Sequence, residues 1–93
     1  MTSPIFDEVS VIGAGTMGNG IAQVFASCGS EVTLVDLNEN ALNAGVSAIA
    51  KSLARVVKKE RITQEDADAT MARISRSTKL EDLGDRELVI EAV

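Results

Sequence analysis

The feature that most constrains the fold is a cluster of glycines in the stretch VIGAGTMGNG, residues 11–20. A short apolar, β-branched run at residues 9–12 leads into it and predicts a buried strand. Glycine destabilises the interior of both helices and strands, so this cluster indicates a tight turn between two elements. Gly13, Gly15 and Gly18 have the spacing G-x-G-x-x-G.

A helix and a second strand are expected after this turn. The apolar residues that recur at helical spacing are Met17, Ile21, Val24, Phe25 and Cys28. Gly29 is placed to end that helix, and residues 31–36 form a second apolar, β-branched run. Strand, glycine turn, helix and strand within about 30 residues make a βαβ unit with parallel strands. Gly20, inside the helix, is expected to pack closely against the sheet.

The glycine spacing in this context predicts a dinucleotide site. The first glycine permits the sharp turn, the second lets the backbone approach a pyrophosphate, and the third lets the helix pack closely on the strand. Free N–H groups at the helix start, aided by the helix dipole, would hold the phosphates. The plainer alternative is that the glycines serve only the turn and the packing.

An acidic residue lies where such a site needs one. Asp36 ends the second strand 18 residues after Gly18, where a carboxylate meets the hydroxyls of the adenosine ribose. Its charge would repel a 2′-phosphate, and the neighbouring Leu37 and Asn38 carry no cation, so NAD is expected over NADP. The plainer alternative for Asp36 is a solvated acid at a strand end.

Two consecutive helices are expected before the next strand. The first is capped by Asn38 or Asn40 and ends near Arg61. Its apolar stripe consists of Leu42, Val46, Ile49, Leu53, Val56 and Val57. The second starts at residues 63–66, a capping box in which Asp replaces the usual Glu or Gln, and runs to about Arg73. Its inward residues are Ala67 and Met71. We interpret the pair as a helical hairpin that projects from the sheet.

The remaining residues predict a short strand at 74–78, a helical turn at 80–83 ended by Gly84, and a strand at 88–93. The expected fold class is therefore α/β. It is a Rossmann-type doubly wound parallel sheet, present in part, with a helical hairpin inserted after the second strand.

Composition narrows the classes of function. The 93 residues contain no histidine, which many acid–base and metal mechanisms use, and we expect no metal site. A net charge of -5 and only two aromatic residues argue against nucleic acid and anionic membranes as partners. The single Cys28 excludes an internal disulfide and favours a cytoplasmic location. We find no signal peptide and no membrane-spanning stretch in the sequence.

The glycine loop and its flanks closely resemble the opening of the 3-hydroxyacyl-CoA dehydrogenases, particularly the bacterial 3-hydroxybutyryl-CoA dehydrogenases. The motif VIGAGTMGNGIA at residues 11–22 is more specific than the general dinucleotide pattern, because the Met before the third glycine and the Gly-Ile-Ala after it are typical of that family. The similarity also includes Val35-Asp36, Ser52-Leu53, Lys58-Lys59 and the strand LVIEAV. It runs from about Val9 to Val93 and covers roughly the first third of a family member.

The resemblance implies an NAD-dependent enzyme of fatty acid metabolism and β-oxidation. Its reaction would be the oxidation of (3S)-3-hydroxyacyl-CoA, 3-hydroxybutyryl-CoA foremost, to the 3-ketoacyl-CoA with hydride transfer to NAD. The cofactor-binding residues that it implies are Gly13, Ala14, Gly15, Thr16, Met17, Gly18 and Asp36. It also places Ser52 and Lys59 where the family's hairpin contacts the acyl-CoA substrate. The plainer alternatives there are an exposed helix serine and a solvated lysine.

The resemblance further implies parts that these residues do not include. The family's catalytic His, the Glu that orients it, and the Ser and Asn that help bind substrate all lie downstream of Val93. No catalytic residue is therefore assigned here, and Glu91 is not the catalytic acid. We interpret residues 1–93 as the N-terminal part of an NAD-binding domain, inactive alone. The absent C-terminal helical domain would form a homodimer.

Two alternatives stay open. A stand-alone module that binds or senses NAD without catalysis would explain the absence of histidine, but it requires residues 1–93 to fold alone. A related NAD-dependent β-hydroxyacid dehydrogenase would share the glycine loop. Because such enzymes generally lack the coenzyme A contacts, the hairpin after Asp36 discriminates between them.

Overall fold

The βαβ unit and the hairpin both form in the computed structural model, which describes residues 5–83 and 88–92. The elements in chain order are β1 (Glu8–Ile12), α1 (Thr16–Ser27), β2 (Glu31–Val35), α2 (Glu39–Lys58), α3 (Gln64–Ala72), β3 (Ile74–Ser77), a 3₁₀ turn (Leu80–Leu83) and β4 (Leu88–Glu91). The sheet has the order β3-β2-β1-β4, and all its pairings are parallel. The predicted α/β class, the doubly wound order and the two helices after β2 are confirmed.

The two central strands are buried on both faces, which is why they are short apolar runs rather than alternating ones. Val9 and Val11 of β1 pair in register with Val32 and Leu34 of β2, and all four are at most 1% exposed. On the other face, Ser10 is fully buried too. This packing fixes the carboxyl ends of β1 and β2 side by side.

Helix α1 lies against the sheet through small residues. Gly18, Ala22 and Ala26 are spaced four apart and are buried. Three members of the predicted apolar stripe are instead exposed: Met17 and Val24, which are 69% and 62% exposed, and Cys28, the C-cap residue. The prediction was wrong at Met17 and Val24 because a helix that approaches the sheet so closely leaves room only for small side chains on its inner face. It was wrong at Cys28 because the helix has already ended there.

Gly20 does not pack against the sheet, and that prediction was wrong. A Cβ atom added to Gly20 would meet no heavy atom within 4 Å. The position is therefore sterically open among the described residues, and the close helix packing depends on other positions.

Both long helices end in a Schellman motif. After α1, Gly29 has a φ of 105°, and Ser30 donates to the Phe25 carbonyl at 3.0 Å, as predicted for a terminating glycine. After α2, the left-handed residue is Glu60, with a φ of 58°, and the Arg61 N–H donates to a carbonyl of the last turn. Helix α2 thus ends earlier than the sequence indicated, in a conformation that glycine would adopt at lower cost.

Local hydrogen bonds define the starts of the hairpin helices. Asn38, rather than Asn40, caps α2 by accepting from the Ala41 N–H at 3.0 Å. Thr63 and Asp66 form the complete capping box of α3. The hairpin packs mainly against α1, and the inward residues are Leu42, Gly45, Ile49, Leu53, Ala67 and Thr70. The hairpin is therefore attached to the helix that follows the glycine turn.

The predicted strand at residues 74–78 is confirmed as β3. Strand β4 ends at Glu91, two residues earlier than expected. Gly84, predicted to end the helical turn, and Val93 lie outside the described residues. None of the helices in the described part of the chain combines the length and the hydrophobicity needed to cross a membrane.

The left-handed backbone conformation of Glu60 should lower the stability of the fold. We expect Glu60→Gly to raise the free energy of unfolding by about 1 kcal/mol relative to Glu60→Ala, because both remove the same side chain and only alanine keeps the Cβ that the positive φ disfavours. Urea denaturation of the two variants measures the difference. Equal midpoints would show that the strain at this helix end is released elsewhere.

Candidate dinucleotide-binding site

The glycine loop occupies the switch point of the sheet. β2 and β3 lie on one side of β1, and β4 lies on the other. At the base of the loop, the Gly13 N–H donates to the Val35 carbonyl at 2.7 Å, and the Ala92 N–H donates to the Ile12 carbonyl at 2.8 Å. Ligands of doubly wound sheets bind in the crevice outside this point. The loop is therefore held from both sides at the expected position.

At two of the three motif glycines, the backbone geometry explains why the position requires glycine. Gly13 has a φ of 103°, a region that side chains other than glycine rarely adopt. A Cβ added to Gly18 would overlap the carbonyl group of Gly13. Gly13 thus turns the chain, and Gly18 lets α1 start directly against the turn.

The middle glycine leaves an open approach to the start of α1. Gly15 is the N-cap residue of α1, and a Cβ added to it would meet no heavy atom within 4 Å. Gly15 has no side chain that could cap the first-turn N–H groups, and that turn contains no acidic residue. Thr16 and Met17 of this turn are exposed. Uncapped N–H groups beside open space are what a phosphate group requires.

A side chain that the sequence analysis missed braces the loop. The side-chain amide of Asn19 donates to the Gly15 carbonyl at 2.8 Å, and a second oxygen, the Ala14 carbonyl, lies 3.5 Å from the same nitrogen. Both carbonyls are thereby oriented toward α1. An asparagine one turn into a helix carries no signal of this role in the sequence alone.

Asp36 contacts the same loop from the end of β2. One carboxylate oxygen accepts from the Ala14 N–H at 3.0 Å, and the other accepts from the Asn38 N–H at 2.9 Å. Each carboxylate oxygen retains acceptor capacity after one such bond. The half-buried carboxylate is therefore fixed in orientation and can still accept from hydroxyl groups. The structure thus brings the glycine loop and Asp36 together.

Helix α2 also reaches the loop, through a glycine that the sequence analysis passed over. A Cβ added to Gly45 would lie 2.5 Å from the Ala14 carbonyl oxygen and 3.0 Å from the Ala14 Cβ. Gly45 therefore lets α2 lie directly over the loop. A glycine inside an otherwise regular helix is a signal of close packing that could have identified it.

A groove of about 450 Å³ lies near Asp36, between the start of α2 and the end of β3. The Asp36 N–H donates to the Ser77 carbonyl at 3.2 Å, so the two strand ends adjoin. Arg76 and Lys79 line the groove with the acidic Glu39, and Arg76 donates to the Asn43 side chain at 2.9 Å. Leu37 and Asn38, which follow Asp36 in the chain, carry no positive charge. Arg76 in β3 and Lys79 just after it supply positive charge to this groove instead.

Ser52 lies in α2, and Lys59 directly follows the last residue of that helix. The half-buried Ser52 accepts a hydrogen bond from the Gln23 side chain of α1 at 3.0 Å. Lys59 is exposed and is the C-cap residue of α2. Seven residues make two helical turns, so both residues face the same side of α2. Within residues 5–83 and 88–92, no three acidic or cysteine side chains gather as metal ligands.

Comparison with known proteins agrees with this geometry. The family model "3-hydroxyacyl-CoA dehydrogenase, NAD binding domain" matches residues 8–93. A 3-hydroxybutyryl-CoA dehydrogenase from Mycobacterium tuberculosis is 44% identical over 91 residues, which are 98% of this chain and 32% of that protein. The chain therefore spans about a third of the length of this relative.

Solved structures are similar over the same part. The crystal structure of (S)-3-hydroxybutyryl-CoA dehydrogenase from Ralstonia eutropha matches with a TM-score of 0.91 and 45% identity, over 95% of this chain and 31% of that one. A diketoreductase that acts on dicarbonyl compounds matches with a TM-score of 0.81 and 35% identity, over 100% of this chain and 33% of that one. From its glycine loop, its sheet order and these matches, the chain belongs to the 3-hydroxyacyl-CoA dehydrogenase family and corresponds to the family's NAD-binding domain.

Proposed function

We propose that this chain is the N-terminal, cofactor-binding part of an enzyme that oxidises (3S)-3-hydroxyacyl-CoA, with 3-hydroxybutyryl-CoA as its substrate. Bound NAD supplies the acceptor for the hydride that leaves C3 of the substrate. The hydroxyl proton must pass to a base, and the chain contains no histidine to take it. As the resemblance to the family implies, we propose that the base is a histidine in a part of the enzyme outside this chain.

The observation that carries this proposal is the open, uncapped start of α1 beside Asp36. The space at Gly15 admits a pyrophosphate, and the first-turn N–H groups of α1 donate to it. The Asp36 carboxylate, already oriented by two backbone N–H groups, accepts from the ribose hydroxyls. Gly13, Ala14, Thr16, Met17 and Gly18 complete the cofactor-binding set.

We assign the substrate-binding residues of this part of the enzyme to the hairpin. Ser52 and Lys59 face the same side of α2, and we assign them contacts with the coenzyme A part of the substrate. A lysine ammonium on an exposed surface is suited to a phosphate. The similarity to two 3-hydroxybutyryl-CoA dehydrogenases supports this substrate class.

The lengths of the relatives support further proposals about the whole enzyme. Because this chain spans about a third of them, we propose that a further helical domain follows it. From the resemblance we propose that this domain forms a homodimer, and from the single unpaired Cys28 a cytoplasmic location. The mass of the gene product in its source cells, measured by immunoblot against this segment, tests the first point. A native product of 9.8 kDa would instead favour a stand-alone NAD-sensing module.

A second candidate substrate class is a hydroxy or keto compound without coenzyme A. The similarity to the diketoreductase supports it. The full-length enzyme would then turn over a free β-hydroxy acid and ignore the corresponding CoA thioester. Assays with both substrates separate the two candidates.

The middle glycine gives the sharpest test of the pyrophosphate site. We expect Gly15→Ala to fold normally, since a Cβ there meets nothing within 4 Å, yet to weaken NADH binding about tenfold or more. Gly20→Ala is the matched control, because it adds the same methyl group to an equally open position. Titration of NADH fluorescence gives both dissociation constants. Equal affinities would remove Gly15 from the site.

The carboxylate of Asp36 sets the cofactor preference in this proposal. We expect Asp36→Ala to weaken NADH binding about tenfold and to lower the preference for NADH over NADPH, because the acid that repels a 2′-phosphate is gone while Arg76 and Lys79 remain in the nearby groove. Calorimetric titration with both cofactors measures the ratio, and Asp68→Ala, an exposed acid on α3, is the control. An unchanged affinity for NADH would contradict the ribose contact.

The exposed Lys59 tests the coenzyme A contact. We expect Lys59→Gln in the full-length enzyme to raise the KM for the acyl-CoA about threefold, the size of one solvent-exposed ion pair, with the KM for NAD unchanged. The effect should shrink as salt is added. Lys58→Gln removes the same charge one position earlier and should leave the KM unaltered. If both lysines behave alike, Lys59 makes no specific contact.

A further inference from the structure

One hydrogen bond joins the cofactor helix to the hairpin through side chains. The Gln23 side-chain nitrogen on α1 donates to the Ser52 hydroxyl oxygen on α2 at 3.0 Å, and both residues are half-buried. Gln23 lies two turns beyond Thr16, where α1 begins. The helix whose start faces the pyrophosphate therefore also reaches the residue assigned to the coenzyme A contact.

The direction of this hydrogen bond determines what Ser52 can offer a ligand. A serine hydroxyl has one proton to donate and two lone pairs that accept. Because the Gln23 amide occupies a lone pair, the Ser52 proton stays available, and no acceptor among the described residues takes it. Ser52 is thereby presented as a hydrogen-bond donor with restricted rotation.

We propose that Gln23 is a positioning residue for the coenzyme A subsite: it holds the Ser52 hydroxyl so that its proton points to an oxygen acceptor of the acyl-CoA. This inference rests on the proposed function of Ser52. Gln23 itself touches neither substrate nor cofactor. Its side chain acts through Ser52, and its helix links that contact to the cofactor loop.

The test reverses the hydrogen bond in the full-length enzyme. Gln23→Glu keeps the shape of the side chain but can only accept, so the Ser52 proton turns toward Glu and away from the ligand. We expect the KM for 3-hydroxybutyryl-CoA to rise about fivefold to tenfold, with kcat and the dissociation constant for NADH within twofold of the parent. Gln64→Glu, which adds the same charge on α3, is the control and should leave this KM unchanged.

A double-variant comparison separates positioning from general packing. Gln23→Met, which keeps the bulk without the donor, should raise the KM for the acyl-CoA in the parent enzyme and leave it unchanged in a Ser52→Ala background. Gln23→Met also supplies the readout if Gln23→Glu does not fold. Equal effects in both backgrounds would overturn the inference, since Gln23 would then act independently of Ser52.

Failure of the proposed coenzyme A contact can be distinguished from failure of the proposed role of Gln23. If Ser52→Ala and Lys59→Gln both leave the KM for the acyl-CoA unchanged, the proposed coenzyme A contact on the hairpin is wrong, and the role of Gln23 is overturned with it. If Ser52→Ala raises this KM while both Gln23 variants match the parent, the contact stands and only the role of Gln23 is overturned.

Discussion

The contact between the start of α1 and the glycine turn is the constraint on which the rest of the structure depends. Gly18 lies so close to the Gly13 carbonyl that no side chain fits between them. This close contact places the first turn of α1 against the end of β1. The inner face of α1 therefore has room only for small residues, which are Gly18, Ala22 and Ala26. At Gly15, the N-cap residue, the first N–H groups of α1 lie beside open space.

Helix α2 extends this close packing from the glycine loop along the hairpin. Gly45 lies against the Ala14 backbone, and two turns later Ser52 accepts from Gln23. After two further turns, Lys59 follows the last residue of the helix as its C-cap. A helix of 20 residues with three such positions in line is about 30 Å long. Its packing against α1 therefore fixes the distance between the cofactor loop and the far end of the hairpin.

Features governed by local rules could be predicted from the sequence. The spacing of the motif glycines, the glycine after α1, the capping box of α3 and the acid at the end of β2 depend on residues that are close in the chain. In the structure, the glycine turn, the end of α1, the capping box and the position of Asp36 all have the predicted geometry. The parallel sheet also followed from the βαβ pattern.

Features that depend on distant neighbours could not be predicted in this way. The apolar spacing in α1 suggested a large-residue core face, but tertiary packing placed Met17 and Val24 outward. Asn19 and Gln23 are ordinary polar helix residues until the loop and α2 are placed beside them. Helix α2 ended before Arg61 because Glu60 adopts a conformation that favours glycine, and no propensity rule indicated it.

The sheet order has a consequence for how the chain folds. Pairing β1 with β2 brings together Val9 and Val32, 23 positions apart, whereas pairing β1 with β4 brings together Val9 and Leu88, 79 positions apart. Closing the longer loop costs about 1 kcal/mol more in chain entropy. The glycine loop, residues 13–18, lies entirely within the segment that the β1–β2 pairing closes. Chain entropy therefore favours forming the βαβ unit that contains the glycine loop before the fourth strand joins.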